Sequence, residues 1–340
     1  MIINQLEQYN EIRKRPIFIC GHPKAGTSLV RAIFDSHPEL IVYPEETVFF
    51  RRFLPQAENL KLEDKLRLAE QTLIQIFEWQ QENPPANQEG YPDRDYSDVS
   101  FDKVNHWMRD FIHSSYHNDG DILSAAVLAY GQVSDQIHDK TSHWVEKSPY
   151  NEYYAKKIFN WWPDARCIHV LRDPRDNFVS YRRKHPDWEA EFFASNWRRS
   201  TAAGLKNQEC FHPERYYILR YEDLTASPET VIRELVDFLN VSWDPSLTNP
   251  TRDGKGWQGN SMFSNKFEGI SAAPVARWKE KLVSQDAKVI ECITGPLLEQ
   301  FQYTPGDYDS NAARQARWRV RTWPIRRKLR RFKQAKPQIT

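Results

Sequence analysis

Short apolar runs alternate with helical-period segments along most of this chain. Residues 17–20, IFIC, are continuously apolar between Pro16 and Gly21, the pattern of a strand buried on both faces. From Thr27, the apolar positions Leu29, Val30, Ile33 and Phe34 follow a helical period, and Pro38 ends that helix. A second strand is predicted at LIVY, 40–43, closed by Pro44. Residues 60–80 read as helix, 83–98 as a loop rich in Pro, Asn and Asp, and 101–139 as two helices broken at HNDGD. WVEKSPYN, 144–151, reads as a strand end running into a loop, and a helix follows to Trp162.

The second half repeats the alternation. CIHVL, 167–171, is a strand; Asp173 is placed to cap the next helix, with Pro174 in its first turn. Residues 190–207 are helical, 216–219 form a strand followed by an exposed turn, and SPETVIRELVDFLN is a capped amphipathic helix. A long loop spans about 251–278, and the chain then returns to helix. The alternation predicts an α/β fold, a mostly parallel sheet flanked by helices, with helical cap insertions at about 60–140; the Gly21-to-Gly26 loop directly after the first strand makes the expected sheet P-loop-type. One domain is expected over residues 1–310, with a basic extension at 311–340.

Composition refines this. No apolar run approaches the roughly 20 residues of a membrane-spanning helix, and mean hydropathy is −0.74. The N-terminal stretch lacks the apolar core of a secretory leader. The four cysteines, Cys20, Cys167, Cys210 and Cys292, form no C-x-x-C pair, which predicts a reducing, cytoplasmic setting. Charge is uneven: residues 312–336 hold eleven Arg or Lys and no acid, leaving 36 basic against 46 acidic residues elsewhere. Trp318, Ile325, Leu329 and Phe332 fall near one helical face there, although Pro324 interrupts the pattern. The segment fits a membrane-surface helix, a nucleic-acid contact or a helix packed on the acidic body.

Candidate chemistry begins at GHPKAGTSLV, 21–30. Gly21 and Gly26 have the separation of a phosphate-binding loop, but Thr27 stands where the nucleotide-triphosphate pattern has lysine, and Lys24 lies inside the loop. Backbone N–H groups at a helix start attract an anion, Gly26 lets the backbone close around it, and Thr27 and Ser28 add hydroxyls. The bland alternative is a tight strand-to-helix turn with a solvated lysine. Arg172 leaves the C-terminal end of a strand, where α/β sheets bind ligands, and Ser180 lies two turns along the next helix. A guanidinium fork and a hydroxyl suit phosphate oxygens; the alternative is an Asp-capped helix with a solvated basic end. No His/Cys/Asp cluster has metal spacing.

FICGHPKAGTSLVRAIFDSHPEL and IHVLRDPRDNFVSYRRKH together resemble the two nucleotide-binding segments of sulfotransferases that use 3′-phosphoadenosine 5′-phosphosulfate (PAPS). The matching framework covers roughly 16–50, 145–185 and 215–280. RAIFDSHPEL followed by PEET most resembles the tyrosylprotein sulfotransferase branch; SAAPVARWK stands where small-molecule sulfotransferases carry R-K-G. The resemblance implies that residues 23–28, with Lys24, Ala25, Gly26, Thr27 and Ser28, cradle the 5′-phosphosulfate without a metal. It implies that Arg172, Ser180 and Lys184 bind the 3′-phosphate, that Glu46 is the general base with Glu45 its rival, and that Lys147 stabilises the leaving group. Ser264 or Ser261 would offer the donor a hydroxyl, and Tyr221 would contact adenine. His22, His37 and His143 read as structural, with a histidine base as the alternative. The implied acceptor bears a hydroxyl, or an amine: a peptide tyrosine, a saccharide, a lipid or a small molecule. An ATP-dependent P-loop kinase and a non-catalytic anion- or membrane-binding module are the competing classes.

Overall fold

The computed structural model describes residues 2–85, 88–261, 263 and 269–334. By compactness the chain forms two units, Met1–Leu171 with Ala203–Ala272, and Arg172–Ala202 with Ala273–Thr340.

The first unit holds a five-stranded, wholly parallel sheet. Its strands are β1 (Pro16–Cys20), β2 (Leu40–Val42), β3 (His143–Lys147), β4 (Arg166–Leu171) and β5 (Tyr216–Arg220), in the order β2-β3-β1-β4-β5. β1, β2 and β3 are buried along their whole length, which accounts for the apolar sequences of β1 and β2, whereas β3 carries the buried polar residues His143, Glu146 and Lys147. The chain leaves β1 toward β2 and later crosses to β4 on the other side, so the order reverses around β1. The C-terminal ends of these strands are where such sheets bind ligands.

Helix Thr27–Phe34 follows β1 directly. Residues expected as one helix at 60–80 form helices Leu62–Ala69 and Ile76–Glu82 joined by a π-helical turn, Glu70–Ile74. The 101–139 region forms helices Phe101–Ser114 and Gly120–Val133, parted at HNDGD as the sequence indicates. The turn expected after residue 219 is instead helix Tyr221–Ala226, with Tyr221 and Leu224 buried. An N-terminal helix, Ile2–Ile12, has no counterpart in the sequence reading; it buries Tyr9 and Ile12.

The second unit contains helix Pro174–Lys184, capped by the Asp173 side chain on the N–H of Arg175. Its C-terminal helix runs unbroken from Ser310 to Gln334. Pro324 removes one internal N–H from this helix and lies exposed on it. Arg319 donates to both carboxylate oxygens of Glu191, at 3.0 and 2.9 Å, and to Asp286 at 2.6 Å. Arg326 adds a bond to Glu191 at 2.7 Å. One face of the basic helix is therefore packed on acidic partners. The side chains of Leu329 and Phe332 lie outside the described residues.

All four cysteines are free; Cys20 and Cys167 are buried and Cys210 and Cys292 exposed. Among the described residues no helix is long and apolar enough to cross a membrane.

Candidate functional site

The loop between β1 and its helix has a conformation few side chains tolerate. Gly21 and Gly26 have φ of 127° and 110°, and Lys24 is left-handed at 66°. A Cβ at Gly21 would come within 2.3 Å of the Val170 carbonyl oxygen, so the loop can lie close to β4 only without a side chain. The Gly26 carbonyl accepts from Leu29 at 2.9 Å, starting the helix immediately, with Thr27 buried at its first turn. Helix N–H groups and their dipole thus face the loop opening.

Lys24 Nζ donates to Oδ1 of Asn260 at 2.8 Å, and Asn260 donates to the Ser28 hydroxyl at 3.2 Å. Asn260 therefore links the loop lysine to the loop serine. The sequence offered no signal for it beyond its place in the long 251–278 loop. Tyr221 lies against Gly26, with its hydroxyl 3.4 Å from the Ser271 carbonyl. Ser261 accepts from the N–H of Phe263 at 3.2 Å; Ser264 lies outside the described residues.

The two glutamates after β2 differ sharply. Glu45 is buried and accepts from the Tyr96 hydroxyl at 2.8 Å and Arg94 at 3.2 Å. Glu46 has 42% of its side chain exposed and pairs with Lys147 at 2.5 Å; Lys147, ending β3, is only 6% exposed. Glu146, on the other face of β3, fixes the surrounding loops. It accepts from Thr47 at 2.7 Å, Ser148 at 2.5 Å and Asn151 at 2.8 Å. Burial raises its pKa, and the Ser148 and Thr47 bonds oppose that shift. A carboxylate inside a strand buried on both faces was the sequence signal for this role. Glu152 likewise accepts from the N–H of Gly21 at 3.1 Å.

The histidines near these segments are buried and engaged. His22 contacts Tyr150 and the Pro23 carbonyl, and His37 reaches the Ser242 carbonyl at 2.9 Å. Burial, with Arg166 and Arg15 nearby, pushes the His143 pKa down to about 4. Among the described residues no group of His, Cys, Asp or Glu is arranged to hold a metal ion.

In the second unit, Arg172 is the first residue after β4. One of its nitrogens lies 3.4 Å from the Ser180 hydroxyl and another donates to the Pro274 carbonyl at 2.9 Å. Asp176 accepts from the N–H of Ala276 at 2.6 Å and of Trp278 at 2.7 Å, fastening segment 274–278 to the start of the helix. Burial raises the Asp176 pKa to about 6, although Arg172 opposes the shift. Arg182 pairs with Asp286 at 2.6 Å, whereas Lys184 is exposed on the last turn.

A profile of the sulfotransferase family matches residues 16–245, more than half the chain and all five strands of the sheet. The chain belongs to the sulfotransferase family. Among similar sulfotransferases, protein-tyrosine sulfotransferase A of Caenorhabditis elegans is 23% identical over 68% of this chain. An uncharacterised protein of Aquifex aeolicus is 24% identical over 88% of it. The chain spans 51% of the first relative's length and 36% of the second's. The sulfotransferase domain of the Synechococcus PCC 7002 olefin synthase shares the fold. It aligns with a TM-score of 0.54 at 20% identity, over 85% of this chain and 95% of that one.

Proposed function

We propose that this chain transfers a sulfuryl group from PAPS to an acceptor hydroxyl, releasing adenosine 3′,5′-bisphosphate. The observation that carries this reading is the lysine inside the loop. Lys24 sits in a left-handed turn, and its partner Asn260 also holds Ser28. A lysine there suits a charge that appears on the oxygen bridging phosphorus and sulfur, rather than the outer phosphates of a triphosphate.

The chain's groups then divide the work. The N–H groups at Thr27–Phe34 and the hydroxyls of Thr27 and Ser28 hold the 5′-phosphosulfate. Arg172 and Ser180 hold the 3′-phosphate, with Lys184 supplying a further positive charge. Glu46 takes the acceptor's hydroxyl proton as the new oxygen–sulfur bond forms. The bond from sulfur to the bridging oxygen breaks, and Lys24 and Lys147 stabilise the charge left on that oxygen. Tyr221 borders the donor at Gly26. The C. elegans relative named for protein tyrosine supports a hydroxyl acceptor; peptide tyrosine, saccharide, lipid and small alcohol are the classes to assay.

Calorimetry with adenosine 3′,5′-bisphosphate in the presence of a chelator, then mass spectrometry of mixed acceptors incubated with PAPS, tests the proposal. Metal-independent binding and an added sulfuryl mass are expected. Turnover of ATP with magnesium, without bisphosphate binding, would assign the site to a kinase.

A further inference from the structure

The C-terminal helix Ser310–Gln334 carries two stripes of opposite character. Positions 312, 316, 319, 323 and 326, spaced four, three, four and three, form the packed stripe. Ala312 and Ala316 are buried, and Arg319 and Arg326 are held by Glu191, Asp286 and Glu189. Positions 314, 318, 321, 325 and 328 repeat that spacing on another face: Arg314, Trp318, Arg321, Ile325 and Lys328. All five are exposed, Trp318 by 61% and Ile325 by 64%. Among the described residues no carboxylate lies within ion-pair distance of Arg314, Arg321 or Lys328. The charges on the packed stripe are thus compensated, and those on the outward stripe are not.

We propose that this outward stripe seats the protein on an anionic lipid bilayer, with the helix lying in the plane of the interface. Basic side chains at that depth meet the headgroup charge, and a tryptophan ring suits the headgroup level. The interleaving of apolar and basic residues selects a bilayer over a nucleic acid. Phosphate backbones would use the arginines alone, and two exposed apolar side chains would add little to them. The packed stripe supplies the rigidity: Glu191, fully buried and held by two arginines, fixes which face of the helix looks outward. This surface is independent of the catalytic reading and stands or falls separately from it.

The test uses the full chain and sedimentation with vesicles of equal parts phosphatidylglycerol and phosphatidylcholine, against phosphatidylcholine alone. Binding to the anionic vesicles only, weakened by salt, is expected. Arg314→Gln/Arg321→Gln/Lys328→Gln should bind about a hundredfold more weakly, at about fivefold per charge. Trp318→Ser/Ile325→Ser should bind about tenfold more weakly. Because these side chains are exposed, both variants should keep the melting temperature and adenosine bisphosphate affinity of the parent. Absence of vesicle binding overturns the proposal. So does equal binding to both vesicle types. Retention on duplex DNA that the Trp318→Ser/Ile325→Ser variant keeps in full, with vesicle binding also unchanged, would assign the stripe to nucleic acid instead.

Discussion

Lys24 and Asn260, 236 residues apart in sequence, are joined by a 2.8 Å hydrogen bond from the lysine ammonium to the amide oxygen. The neutral amide holds the lysine without cancelling its charge. Asn260→Asp should convert the contact into an ion pair and place a negative charge beside the loop proposed to hold the phosphosulfate. We expect adenosine 3′,5′-bisphosphate affinity to fall at least about tenfold, the scale of a charge-assisted contact. Asn260→Ala should lose less, and Lys24→Ala should lower both affinity and kcat. Calorimetry on the three variants checks the order; equal losses for Asp and Ala would remove Asn260 from the anion site.

The two glutamates after β2 should fail in different ways. Glu46→Gln keeps shape and removes a proton acceptor, so kcat should fall about 10²–10⁴-fold with bisphosphate affinity nearly intact. Glu45→Gln disturbs the buried bonds to Tyr96 and Arg94. Its main effect should be a stability loss of about 2–3 kcal/mol, read by urea unfolding. Full turnover in Glu46→Gln together with its collapse in a folded Glu45→Gln would exchange the roles.

Arg172→Ala should weaken adenosine 3′,5′-bisphosphate binding by about 2 kcal/mol or more and scarcely alter binding of adenosine 5′-phosphate. Comparing the two ligands separates a lost 3′-phosphate contact from general disruption. Losses of equal size would place Arg172 outside the 3′-phosphate subsite.

Asp176 makes a prediction about pH. Its pKa rises from 3.8 to about 6 in the folded protein, with burial as the leading cause. Between those values the folded state binds more protons than the unfolded state, so this group's contribution to stability falls as pH rises. The cost is fully present only above about pH 7 and amounts to about 3 kcal/mol at most. Asp176→Asn cannot titrate. The stability of the parent relative to this variant should therefore decline from about pH 4 to about pH 7. A difference that stays constant over that range would show that the carboxyl does not titrate there.

Local patterns carried much of this fold. β1, β2 and the strand at CIHVL are short apolar runs with clear stops, and all three appear close to where the pattern puts them. The Asp173 cap and the break at HNDGD were legible for the same reason: their physics is contained in a few adjacent residues. Helix Tyr221–Ala226 was not, because YEDLTA is polar and its burial of Tyr221 and Leu224 depends on distant chain. The continuous helix through Pro324 overrides a local breaker, helped by the ion pairs to Glu191. At the candidate site, the loop glycines and Lys24 announced themselves by spacing. Asn260 did not, since its part depends on a contact closed by a long loop. The contrast between Glu45 and Glu46 also needed the third dimension: Tyr96 and Arg94 hold the first in the interior, while the second meets Lys147 with much of its side chain exposed.

The close approach of Tyr221 to Gly26 bears on how this sequence can drift over evolutionary time. A Cβ on residue 26 would lie 2.4 Å from the tyrosine ring, at a φ of 110° that already disfavours any side chain. The two obstacles are independent. Shrinking residue 221 removes the clash but not the backbone penalty, so no single compensating replacement opens position 26 to alanine. The clash itself puts no matching restriction on position 221: a smaller residue there leaves glycine content and gives up only what Tyr221 contributes on its own, its burial and its 3.4 Å approach to the Ser271 carbonyl. Substitution should thus be lopsided across descendants of this chain: glycine held at 26 while 221 varies, a one-way dependence that a symmetrical search for covarying pairs would pass over.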